Sequence, residues 1–440
     1  MQKHKKIASQ TASLFPGLIV LVICSVMIGT CLMILLYSLP TNRAHRYAVA
    51  SLDLYNDGLI ENWSDGASHS RLSNSTDALM IMHALYRPYD SVIDNALLNP
   101  HPKYGSTDNA VQNLTNFLND VSPEADGEYA RYWHGYLVYI IPALQFLTVG
   151  ELKVVMMYVQ FLLSVLVIYK LGKLNKVYMF MYAVVTLFLN PVTTVLTFQN
   201  ADIYCIMMIS MILLLEYNHW FKEKNRYLYF FTINGIAVAF MDYLTYPLVA
   251  YGIPLITVLL INNYQFKESI KQMIFNSVAW VWGYAGMWAG KWIITDMLTE
   301  HDIIRSALNT TLYRMTGDTQ AITDVEGTYL FTLTHIFDKS VDRPVLILAI
   351  LAAVIMLACI CKGKFKYHNT KEYFMDIAAI AAVGIVPFVW FFVVRNHTII
   401  HPHLEYRQLA VSIWALLVIL AIPFVPAEMQ GKITTLKPDK

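Results

Sequence analysis

Apolar runs recur along this chain, several of them about 18 residues or longer, the length needed to cross a bilayer core of about 30 Å. They lie at 14–38, 153–170, 177–190, 203–218, 227–243, 245–262, 272–294, 343–361, 374–394 and 408–426. The expected fold is therefore an all-α polytopic membrane protein with about ten transmembrane helices. Composition agrees: 56% of residues are apolar and only 14% charged, far from a soluble average. A net charge of +1 says little about partners. How the charges are distributed says more.

Lysine and arginine accumulate on the cytoplasmic side of short loops. One stretch, 136–149, is apolar but short and broken by Pro142. If it does not cross, Lys170/Lys173/Lys176, Lys222/Lys224/Arg226, Lys267/Lys271, Lys362/Lys364/Lys366 and the tail lysines all share the side of the N-terminus. That arrangement puts both termini in the cytoplasm and makes 136–149 an interfacial or half-embedded helix. The basic start, Met1–Lys6, precedes an apolar run too long for a cleaved signal peptide, so the first helix is expected to stay. The whole chain, 1–440, reads as one membrane domain without internal repeats. Its outer side holds a first extracytoplasmic loop (40–151), a turn at 198–202, a second extracytoplasmic loop (295–342) and the connection 395–407.

Within the first loop, Leu52, Tyr55, Leu59, Ile60 and Trp63 recur at helical spacing, with Asp53, Asp57 and Glu61 on another face. This predicts a membrane-lying amphipathic helix. A second helix is expected from Ser75-Thr76-Asp77, a capping sequence. Gly286 and Gly290 form a Gly-Xaa-Xaa-Xaa-Gly pair suited to close helix contact. Cys24, Cys31, Cys205, Cys359 and Cys361 lie in or beside apolar runs and offer neither disulfide framework nor metal spacing.

The segment Gly127-Glu128-Tyr129-Ala130-Arg131-Tyr132-Trp133-His134-Gly135 packs acid, guanidinium, indole and imidazole against a membrane boundary. Glu128 either pairs with Arg131 or serves as a base, and Asp77 either caps its helix or does the same. Asp53 belongs to a stripe that reads equally as a solvated face. Arginines outside are disfavoured by the charge rule, so Arg395 and Arg407, together with His397, His401 and His403, ask for a reason. Guanidinium groups grip phosphate bidentately; the cluster otherwise reads as a structural ion-pair cap. The three histidines leave room for a divalent cation, but their spacing fits no common zinc pattern. Tyr129, Tyr132, Trp133 and Tyr136 form either an aromatic belt or a platform for a sugar ring. Asp202 and Asp242, at outer helix ends, are either solvated or position a sugar or ion.

Four segments together, Leu72–Ala78, Tyr129–Tyr136, Asp242–Leu248 and Arg395–Arg407, resemble the GT-C superfamily of multi-spanning glycosyltransferases, in particular bacterial enzymes that use polyprenyl-phosphate sugars. The resemblance covers most of the chain in layout and only these segments in sequence. It implies transfer of a monosaccharide (hexosyl or pentosyl) from polyprenyl phosphate to a cell-surface glycan or lipid-linked acceptor, with inversion, at the outer face of the cytoplasmic (inner) membrane. By that resemblance Asp77, then Asp53 and Glu128, are the catalytic carboxylates. Arg131, Arg395, His397, His403 and Arg407 would hold the lipid phosphate, and Trp133, His134, Asp202, Asp242 and Tyr243 the sugar or acceptor. The adjacent acids that such enzymes carry after the first span are replaced here by Pro40-Thr41-Asn42-Arg43. No cofactor, metal ligand set or nucleic-acid partner is implied. Membrane lipids are the expected surroundings. The rivals are a lipid-linked polysaccharide polymerase or ligase, and a lipid-linked-sugar transporter or flippase. The spans carry few ionisable groups at mid-depth, which counts against transport.

Overall fold

The computed structural model describes residues 15–55, 58, 60–63, 70–105, 109–316, 329–340, 350, 354 and 369–424. Asp57, Cys359, Cys361 and, but for two positions, the run expected at 343–361 lie outside them.

The first apolar run is α1 (Phe15–Tyr37). The first loop holds α2 (Asn42–Val49), α3 (Asn74–Leu85), α4 (Val92–Leu98), α5 (Ala110–Leu118) and α6 (Leu137–Ala143). It also holds two antiparallel ribbons, β1 (Glu61–Asn62) on β2 (Arg71–Leu72) and β3 (Pro100–Lys103) on β4 (Ala125–Glu128). Next come α7 (Val149–Leu174), α8 (Lys176–Phe188), α9 (Pro191–Leu196), α10 (Phe198–Lys222), α11 (Tyr227–Met241), α12 (Pro247–Asn262) and α13 (Phe266–Leu298). The described chain closes with α14 (Ile303–Thr316), α15 (Tyr329–Ser340), α16 (Thr370–Val393), α17 (Arg395–Ile400), α18 (Pro402–Glu405) and α19 (Leu409–Ala421).

Helices α1, α7, α10 and α16 and the run Pro402–Phe424 are long and apolar enough to cross a membrane; α8, α11 and α12 are apolar but shorter. The architecture is that of an all-α, multi-pass membrane protein. Burial supports this reading. Tyr158, Phe161 and Leu162 of α7 are exposed, whereas α12 is buried along its whole length. Apolar side chains facing outward along such a helix find their favourable solvent in lipid.

Helices approach closely where side chains vanish. A Cβ on Gly290 would stand 2.2 Å from Val26 Cγ2 of α1, and one on Gly283 would stand 2.1 Å from the Thr232 carbonyl of α11. The Gly286/Gly290 pair thus seats α1 on α13, as its spacing suggests.

The amphipathic helix expected over 52–63 is not formed. A single 3-10 turn, Leu52–Tyr55, stops short, and Gly58 at φ +87° redirects the backbone. Glu61 and Asn62 then pair with Leu72 and Arg71 as strands, while the Trp63 indole donates to Thr193 Oγ1 at 2.9 Å. Sheet pairing and that anchor outweigh the helical spacing. Helix α3 begins one residue before the expected start; its cap is Ser73, whose Oγ accepts the Thr76 N–H at 3.3 Å. Helix α6 has seven residues with Pro142 inside, about 10 Å of helix, too short to cross.

Candidate functional site

A cavity of about 180 Å³ opens between the first loop and the later helices. One wall is a ladder of aromatic side chains on α13, Tyr284, Trp288 and Trp292, at i, i+4 and i+8 and therefore on one helix face. Facing it, α14 presents Ala307, Thr310, Thr311 and Arg314. The end of α16 adds Trp390, Val393 and Val394, and the first loop adds Arg131 and Tyr132. Leu244, from the turn between α11 and α12, completes the lining. The walls are mostly hydrocarbon and aromatic ring, with the hydroxyls of Tyr132, Tyr284, Thr310 and Thr311 among them. The charged groups of the lining are two guanidiniums.

Each guanidinium is held. The Trp292 indole donates to the Arg131 carbonyl at 2.9 Å, and the Arg131 side chain lies over the Tyr129 ring, 5.4 Å from its centre. Arg314 donates from Nη1 to His397 Nδ1. His397 Nε2 in turn donates to the Leu244 carbonyl at 2.8 Å, with Glu405 Oε1 at 3.3 Å. Glu405, wholly buried, also accepts the Trp390 indole N–H at 3.0 Å. Burial pushes His397 well below the ordinary imidazole range, helped by neighbouring His401 and Arg314. Burial likewise lowers His401 to about 4.

Beside the cavity the segment 129–136 docks on the α11–α12 turn. The Gly135 N–H donates to the Phe240 carbonyl at 2.8 Å. His134, at φ +55°, donates from Nε2 to the Tyr129 carbonyl at 2.7 Å, so its Nδ1 accepts the Tyr136 hydroxyl at 2.8 Å. Tyr136 also bonds Tyr243 and His83. Burial drives His134 down to about 3 against the Tyr129 carbonyl bond, which works the other way. Asp242 is pushed up to about 6 by burial, opposed by bonds from the Thr245 hydroxyl and amide.

Comparison with protein-family models, curated proteins and solved structures gives no match.

The residues singled out from sequence scatter. Arg131 lines the cavity and His397 stands one bond behind it. Asp242 and Tyr243 form the adjoining turn. Asp77 is wholly buried and paired with Lys153 at 2.8 Å, its other oxygen accepting the Phe198 N–H at 3.1 Å. Its carboxylate fastens α3 to α7 and α10, and Ser73 has taken the capping position. Asp53 is exposed in its 3-10 turn. Glu128 accepts from Tyr89 at 2.8 Å and meets His301 at 3.0 Å, rather than pairing with Arg131. The three carboxylates thus sit in three separate settings.

Arg407 is buried and turned inward: Nε donates to the Leu189 carbonyl at 3.1 Å, Nη1 to the His403 carbonyl at 2.6 Å, its plane covers Tyr406, and Nη2 is left without a hydrogen-bond partner. His403 is buried beside it, and Arg395 opens α17 outside the cavity lining. Trp133 is no platform. It is 1% exposed and donates to the Met287 carbonyl at 2.7 Å. His134 is enclosed by its own network, and Asp202 is buried facing the Tyr139 phenol. Among the described residues no group of His, Cys, Asp or Glu is arranged to hold a metal; the His401 ring is tilted against His397 and meets His403 edge-on. The sequence reading missed Arg314, Trp288 and Trp292. The signal for Arg314 was the i, i+3, i+4, i+7 spacing with Ala307, Thr310 and Thr311, and for the tryptophans the i, i+4, i+8 spacing with Tyr284.

Proposed function

We propose that this protein is a GT-C-type integral membrane glycosyltransferase that takes a monosaccharide from a polyprenyl-phosphate donor at the cavity between α13, α14 and α16. The observation that carries the reading is a hydrocarbon- and indole-walled cavity bearing two arginines and no facing carboxylate among its lining residues. An apolar chain with a phosphate head matches that combination. In the reaction the acceptor hydroxyl attacks the anomeric carbon, the carbon–oxygen bond to phosphate breaks, and the phosphate leaves with the electron pair. Arg131 and Arg314 would stabilise the departing charge. A carboxylate must take the hydroxyl proton. Asp242, raised by burial to about 6 and two residues from lining residue Leu244 in the same turn, suits that duty better than paired Asp77.

The wider setting belongs to the same proposal: ten spans, both termini in the cytoplasm, and the cavity at the outer face of the cytoplasmic membrane. The lysine distribution supports it. The acceptor is a glycan or lipid-linked glycan. The test uses the purified protein in lipid nanodiscs with a panel of polyprenyl-phosphate monosaccharides, following release of polyprenyl phosphate. Release that is lost in Arg131→Gln, Arg314→Gln and Asp242→Asn supports the transferase. Unimpaired turnover in both arginine variants would sink it. Two guanidiniums in one cavity also suit a diphosphate, so binding of lipid diphosphates without transfer would favour the polymerase or ligase reading.

A further inference from the structure

The bond between Arg314 and His397 fixes the state of the imidazole. A guanidinium has only N–H donors and no acceptor. His397 Nδ1, which meets Arg314 Nη1, must therefore carry a lone pair and not a proton. On the ring's other side, Nε2 faces the Leu244 carbonyl at 2.8 Å and Glu405 at 3.3 Å. Both are acceptors, so Nε2 carries the proton. The ring is neutral, in one tautomer, and aimed. Behind it Glu405 is fixed by the Trp390 indole, and Trp390 itself lines the cavity. Asn396, one residue earlier, donates to the Tyr313 carbonyl at 2.9 Å, so α17 grips α14 at Tyr313 as well as at Arg314.

Leu244 sharpens the argument. It adopts φ +70°, a conformation unfavourable for a branched side chain, yet it both lines the cavity and supplies the carbonyl that orients His397. A backbone position of this kind persists only where its surroundings over-determine it.

We infer that His397 is a positioning residue: it binds no phosphate itself, and its unprotonated Nδ1 holds the Arg314 guanidinium at the cavity wall. The inference rests on the phosphate reading of the cavity only for its consequence, not for its geometry. Among the described residues the groups facing the ring are Arg314 from α14, Glu405 and His403 from α18, His401 between α17 and α18, and the Leu244 carbonyl from the α11–α12 turn. A proton added at Nδ1 would set N–H against N–H and release Arg314.

The test compares wild type, His397→Asn, whose amide oxygen can replace the Nδ1 lone pair, His397→Phe and Arg314→Gln, each in nanodiscs. Phenylglyoxal modification of Arg314, mapped by mass spectrometry, reads the arginine without any ligand. Binding of citronellyl methyl phosphate, a diester of constant charge, against uncharged citronellol reads the anion grip. Loss of a charge-assisted bond predicts about tenfold or more faster modification and about tenfold or more weaker diester binding in His397→Phe, with His397→Asn close to wild type. Adding Arg314→Gln to His397→Phe should weaken diester binding no further. Equal Arg314 reactivity in wild type and His397→Phe would overturn the inference, as would equal losses in the Asn and Phe variants. Diester binding untouched by Arg314→Gln would instead overturn the phosphate reading, while Arg314 reactivity still reports on His397.

Discussion

The buried pair Asp77–Lys153 tests whether the most conspicuous loop carboxylate catalyses or holds the fold. The two partners are unequal. Asp77 is wholly enclosed, with Lys153 Nζ at 2.8 Å and the Phe198 N–H at 3.1 Å, whereas the lysine side chain keeps 17% exposure. Removing one partner of a buried pair leaves an uncompensated charge, a loss of about 3–5 kcal/mol. Lys153→Met strands Asp77 with a single amide donor and should cost the full amount. Asp77→Asn leaves a lysine able to turn its ammonium outward and over the Phe198 ring, now 5.5 Å away, so its cost should be about 1–3 kcal/mol. The double variant should be more stable than Lys153→Met alone, because no charge remains buried. Thermal or denaturant unfolding in detergent, with all four proteins in one buffer, gives the cycle. Strict additivity, or a milder Lys153→Met than Asp77→Asn, would refute the reasoning. A double variant that regains stability and turns over donor would also remove Asp77 from the catalytic candidates.

Stability should fall on acidification. His134 and His401 sit near 3 and 4 when folded, against about 6.5 unfolded. The unfolded chain therefore binds more protons between those values, and stability is lost as pH drops from about 6.5 towards 4, at roughly 1.4 kcal/mol per unit per group. Asp242, raised from 3.8 to about 6, contributes the opposite slope, so His134→Gln should flatten the pH profile of the melting temperature and Asp242→Asn should steepen it; reversed slopes would contradict the assigned environments. Gly290→Leu should destabilise the α1–α13 contact by about 1–3 kcal/mol through overpacking, with partial rescue by Val26→Ala; unchanged unfolding of Gly290→Leu would deny that contact. Trp292→Phe loses the bond to the Arg131 carbonyl and about 1 kcal/mol of stability. Binding of the citronellyl diester should weaken with it, and an unchanged affinity would detach Trp292 from the site.

Much of the layout was legible because lipid imposes it. Long apolar runs have one outcome, and α1, α7, α10 and α16 stand where the runs put them. The small-residue pair on α13 was equally readable, since close approach needs absent side chains. The first loop was harder. Leu52, Tyr55 and Trp63 have helical spacing, but Glu61–Asn62 pair with a strand at Arg71–Leu72, and Trp63 is anchored on Thr193, a hundred and thirty residues away. Charged residues were hardest. Arg407 and Arg314 look alike in a sequence, yet one is turned onto backbone carbonyls and the other reaches a cavity. Which of the two an arginine becomes depends on the acceptors that tertiary packing leaves beside it.

That dependence explains why the turn between α11 and α12 matters more than its few residues suggest. Its two ends are tied from different directions: the Phe240 carbonyl takes the Gly135 N–H, and the Leu244 carbonyl takes the His397 N–H. Between them Asp242 accepts the Thr245 amide and hydroxyl, which holds Leu244 left-handed. Both residues in unfavourable backbone conformations here, His134 and Leu244, lie where the first loop meets the cavity. Each costs about 1 kcal/mol or more that surrounding bonds must offset. A change in the His134–Tyr136–Tyr243 network is therefore expected to reach Arg314 through this turn, although no side chain of that network touches it.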